Sequence, residues 1–212
     1  MRSRLKTFIL ASAAFLAFPA LAHASENIKP FEKLQTSAVK QDFSAVKIDI
    51  VYSEDMQQRA NSLPSLISLR GPGTIRGTRS GFSGNGYYGD RSLDNLAKSL
   101  DRKMTKRFKK KGISVSEDAP VTLRVTIVDA RNNRPTFKQV SQEPGLSFQS
   151  IRIGGVELTA DLVDQSGNTI DTMHYSYFER DFEISDQFSS VWYDANQGFN
   201  FFAKEAAKQL SN

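Results

Sequence analysis

The chain has 212 residues, a formal charge of +5 and no cysteine, which excludes disulfide scaffolds, thiol catalysis, iron–sulfur clusters and cysteine-ligated zinc. Arg2, Arg4 and Lys6 account for three of the 28 basic residues, and positions 1–24 hold no acid. Beyond them 25 basic residues face 23 acidic ones. A net +2 over those remaining 188 residues weighs against a general nucleic-acid binder and leaves enough chain for one domain with a real core.

The basic head is followed by an apolar run over 8–21 that closes on Ala22-His23-Ala24. This is the pattern of a signal peptide over 1–24, its small residues Ala22 and Ala24 standing at positions −3 and −1 relative to cleavage. It predicts export to the periplasm of a Gram-negative cell, with secretion to the medium open. A lipid anchor needs a cysteine at the first mature residue, where the chain has Ser25. No later apolar run reaches the roughly 18 residues of a membrane helix, so no transmembrane segment is expected in the mature chain.

Residues 25–44 read as a polar lead-in with Ile28, Phe31, Leu34 and Phe43 scattered through it. Val46, Ile48, Ile50 and Tyr52 then alternate with Lys47, Asp49 and Val51, the period of a strand with one buried face. An insertion over 53–91 lacks sustained periodicity; its first half could be a short helix or a strand, and its second half holds seven glycines between positions 71 and 89. Leu93, Leu96, Ala97, Leu100, Met104 and Phe108 predict a helix over 91–111, capped by Asp90 or Ser92 and ended by Gly112.

Three strands are expected next. The first covers 121–128, followed by a polar connection over 129–146. The second covers 148–163, with a bulge or bend at Gly154-Gly155, and the third 169–182, after a tight turn at Asp164-Gln165-Ser166-Gly167-Asn168. A last helix over 189–210 carries the apolar stripe Val191, Ala195, Phe199, Phe202, Ala203, Ala206 and Leu210. The expected fold is α+β: a two-layer sandwich with a mainly antiparallel four-stranded sheet, order β-α-β-β-β-α, and helices on one face. A single domain would span 45–212.

No catalytic, cofactor-binding or metal-binding constellation emerges. His174 is the sole histidine outside the leader, and its strand parity with Thr172 and Ser176 points it to the polar face. The pairs Asp161/Asp164, Asp181/Glu183 and Asp186/Asp194 lack calcium-loop spacing. Gly84-Asn85-Gly86 opens no phosphate-binding fingerprint. Trp192 and Tyr193 read as core or rim packing.

Two surfaces carry binding chemistry. Arginines and aromatics of the insertion (Arg76, Arg79, Phe82, Tyr87, Tyr88), joined by Arg131 and Arg134 at a strand end, suit recognition of an envelope protein, with strand addition at a sheet edge as another route. Arg102, Lys103, Lys106, Lys109 and Lys110 on the first long helix suit lipopolysaccharide or another anionic envelope polymer. The leading expectation is a non-enzymatic periplasmic adaptor, the alternative is polymer binding, and a hydrolase using His174 and Asp161 comes third. Neither a cofactor nor a nucleic-acid partner is expected.

The leader, the basic helix after the first strand, the hairpin of Ile153-Gly154-Gly155-Val156-Glu157-Leu158 with Asp164-Gln165-Ser166-Gly167-Asn168, and the final Trp192-Tyr193-Asp194-Ala195 helix resemble small proteobacterial envelope proteins grouped as domains of unknown function. Over about 45–210 the architecture is similar to the outer-membrane activator of penicillin-binding proteins and the periplasmic domain of the curli secretion subunit. Many such proteins are lipoproteins, and this chain departs from them in lacking the anchoring cysteine. The shared motifs are turns and packing positions, so the resemblance implies fold and compartment and transfers no functional residue.

Overall fold

A computed structural model describes residues 35–36, 43–62, 82, 85–178 and 190–211. The expected leader, Arg76, Arg79 and most of the Gly-rich stretch lie outside them.

Strands β1 (Gln35–Thr36), β2 (Ala45–Tyr52), β3 (Ser114–Val115), β4 (Val121–Arg131), β5 (Gly155–Asp164) and β6 (Thr169–Phe178) form a mixed sheet in the order β1-β6-β5-β4-β2-β3. Four of them are long, and the two edge strands are two residues each. Helices α1 (Glu54–Asn61), α2 (Asp90–Lys110), α3 (Phe137–Gln142) and α4 (Tyr193–Gln209) complete the α+β fold.

The sheet is mixed, which corrects the mainly antiparallel expectation. β2 pairs with β4 in parallel, from Lys47 opposite Thr122 to Tyr52 opposite Ile127, whereas β4–β5 and β5–β6 are antiparallel. The reason is the connection: β2 leaves through α1 and α2 before β4 begins, and a helical crossover returns the chain in the same direction. The expected order also omitted α1 and α3. Ser53 caps α1 by accepting from the Met56 N–H, and Thr136 with Gln139 forms a capping box at α3. A bulge at Ile127/Asp129 carries β4 to Arg131, beyond the strand end expected from alternation.

The sheet face bearing Leu123, Val125, Ile127, Val156, Leu158, Ala160, Leu162 and Met173 is buried under α2 and α4. α2 contributes Leu96, Leu100, Met104 and Phe108, each of which adds about 1.5–3 kcal/mol when fully removed from water. The start of α2 differs from expectation. Gly89 occupies the N-cap at φ 83° without a side-chain cap bond, while Asp90 accepts from Asn61 and Ser92 donates to the Tyr88 carbonyl. At the far end Gly112, at φ 79°, turns the chain out of the helix as expected. Gly198 allows α4 to approach the sheet, since a Cβ there would come within 2.4 Å of Val156 Cγ1.

The opposite face is wetter, as the alternation predicts. Arg124 pairs with Asp49 at 3.0 Å across β4 and β2, and His174 lies 3.5 Å from Glu157. The Asp164–Asn168 turn closes through Asp164 Oδ1, which accepts from the Ser166 and Asn168 amides at 2.8 Å. These backbone bonds, the Asn168 amide foremost, hold the Asp164 carboxyl below its ordinary pKa.

Candidate functional site

Two groups of basic residues stand out, one between the long helices and one at the strand ends. The first is a groove of about 630 Å³ between α2 and α4. On α2, Arg102, Lys103, Lys106, Arg107 and Lys110 recur at helical spacing and share one side. On α4, Tyr193, Asn196, Gln197 and Asn200 face them, again three and four residues apart. Apolar stripes hold the two helices together, so their polar flanks meet in the channel beside the contact.

Among the described residues no carboxylate lines this groove, and none of its five cations forms an ion pair. Two of them instead hold amides. Lys103 Nζ donates to Asn196 Oδ1 at 3.2 Å and to Ser99 Oγ at 3.3 Å, and Arg107 Nη2 donates to Asn200 Oδ1 at 2.8 Å. Burial, and then the neighbouring Arg102 charge, lower the Lys103 pKa. Arg102, Lys106 and Lys110 remain exposed. Such an arrangement attracts anions: the charges lie close together, have no counter-ion among the described residues and share a concave wall.

The strand-end group is wired inwardly. Asp129 accepts from Arg59 at 2.9 Å, from Asn85 at 2.8 Å and from Arg131 at 3.4 Å. Burial works to lower the Arg59 pKa, but Asp129, with Tyr88 and Asp55, outweighs it and the pKa is raised. Arg131 stacks on Phe178 with 4.6 Å to the ring centroid. Arg152 donates to the Phe82 carbonyl and lies 5.5 Å from the Phe82 ring centre. Burial, reinforced by the Arg131 charge, lowers its pKa to about 10. Behind these, Asp194 accepts from Asn133 Nδ2 at 2.6 Å and from the Gly154 N–H at 2.8 Å. Asn132 Nδ2 donates to Gln139 Oε1 at 2.8 Å, and Gln139 donates to the Gly86 carbonyl at 2.6 Å.

The structure distributes the expected site residues unevenly. Arg102, Lys103, Lys106 and Lys110 line the groove, while Lys109 faces a smaller cavity of about 310 Å³ beside Ile113 and Val115. Phe82 and Tyr88 are buried, Tyr88 packing edge-on to Trp192 at 5.5 Å, so neither presents its ring on a surface. Tyr87 is half-buried beneath Lys138. Arg134 donates to the Phe148 carbonyl. Trp192 is core as expected, but Tyr193 lines the groove. His174 and Asp161 lie on the wet sheet face, Asp161 accepting from Thr172 Oγ1 at 2.8 Å, away from the groove lining.

Sequence reasoning missed Asn196, Gln197 and Asn200, whose signal was the polar stripe 193-196-197-200 along α4. Among the described residues, no group of three His, Cys, Asp or Glu side chains could hold a metal, and no helix is long and apolar enough to cross a membrane.

No family model matches the chain, and no curated protein matches its sequence. Solved structures do overlap with it. A PelC dodecamer from Paraburkholderia phytofirmans shares 8% identity, with 84% of this chain and 96% of that chain covered at a TM-score of 0.42. A Xanthomonas campestris protein of the DUF330 family shares 11%, covering 82% and 88% at 0.39. A minor lipoprotein from Acinetobacter baumannii shares 10%, covering 80% and 93% at 0.35. No residue role passes from these proteins to this chain.

Proposed function

We propose that this is an exported, non-enzymatic protein of the cell envelope that binds an anionic envelope polymer through the α2–α4 groove. The observation that supports it is the set of groove cations facing amides and a tyrosine, with no carboxylate in the lining among the described residues. The reading gives the groove precedence over the Gly-rich insertion. It keeps the domain as a single unit over 45–212, the leader over 1–24 and the periplasmic address. A lipopolysaccharide-binding assay at low and high salt tests it. Binding should weaken with salt, because exposed charges are screened over about 10 Å at 0.1 M. It should disappear in the Lys106→Glu/Lys110→Glu double variant. Undiminished binding by that variant would refute the proposal.

A second reading, an adaptor for an envelope protein, has its own observation. Phe137 and Phe148 are 78% and 53% exposed, and Arg134 bonds the Phe148 backbone. Exposed aromatics beside arginine suit a protein interface. A photo-crosslinking probe at Phe137 in the native envelope would yield a discrete protein adduct on this reading and none if the face is only solvated.

A further inference from the structure

We infer that the ligand of the groove is an anionic glycan, whose acidic groups meet Arg102, Lys106 and Lys110 while its hydroxyls are read by Asn200 and the Tyr193–Gln197 pair. The inference rests on the groove being the anion site proposed above and adds the chemical class of the ligand.

The α4 wall carries the argument. Gln197 Nε2 donates to the Tyr193 hydroxyl at 3.2 Å. In this orientation the Tyr193 O–H and Gln197 Oε1 have no partner among the described residues, one a donor and the other an acceptor. Turning the amide over makes the phenol the donor and opens Gln197 Nε2, leaving a lone pair on the phenol oxygen. Either way the pair offers at least one donor and at least one acceptor, the complement of a hydroxyl group. Asn200 adds an oriented donor. Arg107 can only donate, so it fixes Asn200 Oδ1 toward itself and leaves Nδ2 facing away, with no further hydrogen bond among the described residues.

A polyphosphate or sulfate chain brings acceptors alone. It would satisfy the α2 cations and leave the acceptor of the Tyr193–Gln197 pair unmatched. An acidic sugar chain brings both kinds of group. The span helps as well: Arg102, Lys106 and Lys110 are spaced by four residues and cover about 12 Å of helix. A row of that length suits successive units of an oligomer better than a single sugar.

The test is titration of the purified chain with fluorescent oligogalacturonate and with polyphosphate of matched charge, at one ionic strength. Oligogalacturonate should bind about tenfold more tightly, the order expected from one or two additional hydrogen bonds. Tyr193→Phe, which keeps the ring, and Gln197→Ala should each lower glycan affinity about three- to tenfold and leave polyphosphate affinity unchanged. Lys106→Glu/Lys110→Glu should remove both. Equal affinity for the two probes, or parallel losses for both in Gln197→Ala, would overturn the glycan assignment while leaving an anion site. Failure of the wild-type chain to bind either probe would overturn the underlying reading too. Circular dichroism melts of each variant establish that α4 is intact.

Discussion

The strand-end group and the α2–α4 groove are both rich in cations, yet their charges are answered differently. At the strand ends Arg59 and Arg131 share Asp129, and Arg152 is held against the carbonyl and ring of Phe82. Those arginines are spent on joining loops. In the groove Arg102, Lys106 and Lys110 meet no carboxylate among the described residues, and the neighbouring amides are oriented by Lys103 and Arg107. The same residue types are structural where the fold supplies counter-charges and available for a ligand where it does not.

That contrast predicts where substitutions unfold the protein and where they only affect binding. The largest loss of stability is expected for Asp194→Ala. It removes a buried carboxylate, strands the Gly154 N–H and leaves Asn133 Nδ2 with only its 3.4 Å bond to the Arg152 carbonyl, at a cost of about 3 kcal/mol in chemical denaturation. Asp129→Ala should cost about 2 kcal/mol, because it leaves half-buried Arg59 without its main partner. If either variant melts like the wild type, the strand-end group is not a structural junction.

Alkaline pH reaches the helix–sheet contact through a smaller effect. Tyr52 donates to the Leu93 carbonyl at 2.5 Å, and burial raises its pKa from 10 to about 12. Below pH 10 both folded and unfolded chains keep this proton. Above it the unfolded chain ionises first, so stability should fall from pH 10 until the folded tyrosine ionises near 12. Tyr52→Phe should flatten part of this slope. Tyr88 and Tyr175, also raised by burial, should leave the remainder. The smallest stability effect belongs to the groove: Lys106→Glu/Lys110→Glu should change it by no more than about 0.5 kcal/mol while abolishing polymer binding. A large destabilisation there would show that these lysines support the fold.

Periodicity made much of this architecture legible. The stripe from Leu93 to Phe108 marked α2, the stripe from Ala195 to Leu210 marked α4, and alternation in 121–128 and 156–162 marked the inner faces of β4 and β5. Short elements escaped because they lack enough turns for a period to show. α1 and α3 are eight and six residues long and are announced mainly by Ser53 and by the Thr136/Gln139 capping box. The parallel β2–β4 pairing escaped because strand direction depends on where the chain returns after two helices. The aromatics of the insertion were equally ambiguous. Tyr87 and Tyr88 are adjacent, yet only Tyr88 turns into the core beside Trp192.

For the candidate site, the α2 cations could be named from sequence, but which of them share a wall could not. Lys109 and Lys110 are neighbours along the chain and line different cavities, because successive helical residues point about 100° apart. The sequence by itself determined the composition, the helical and strand periods and the basic stripe, since these depend on local spacing. Only the tertiary structure decided that this stripe lies against the polar flank of α4. That juxtaposition comes from packing two apolar stripes over one sheet and so from contacts about ninety residues apart, such as Arg107 with Asn200.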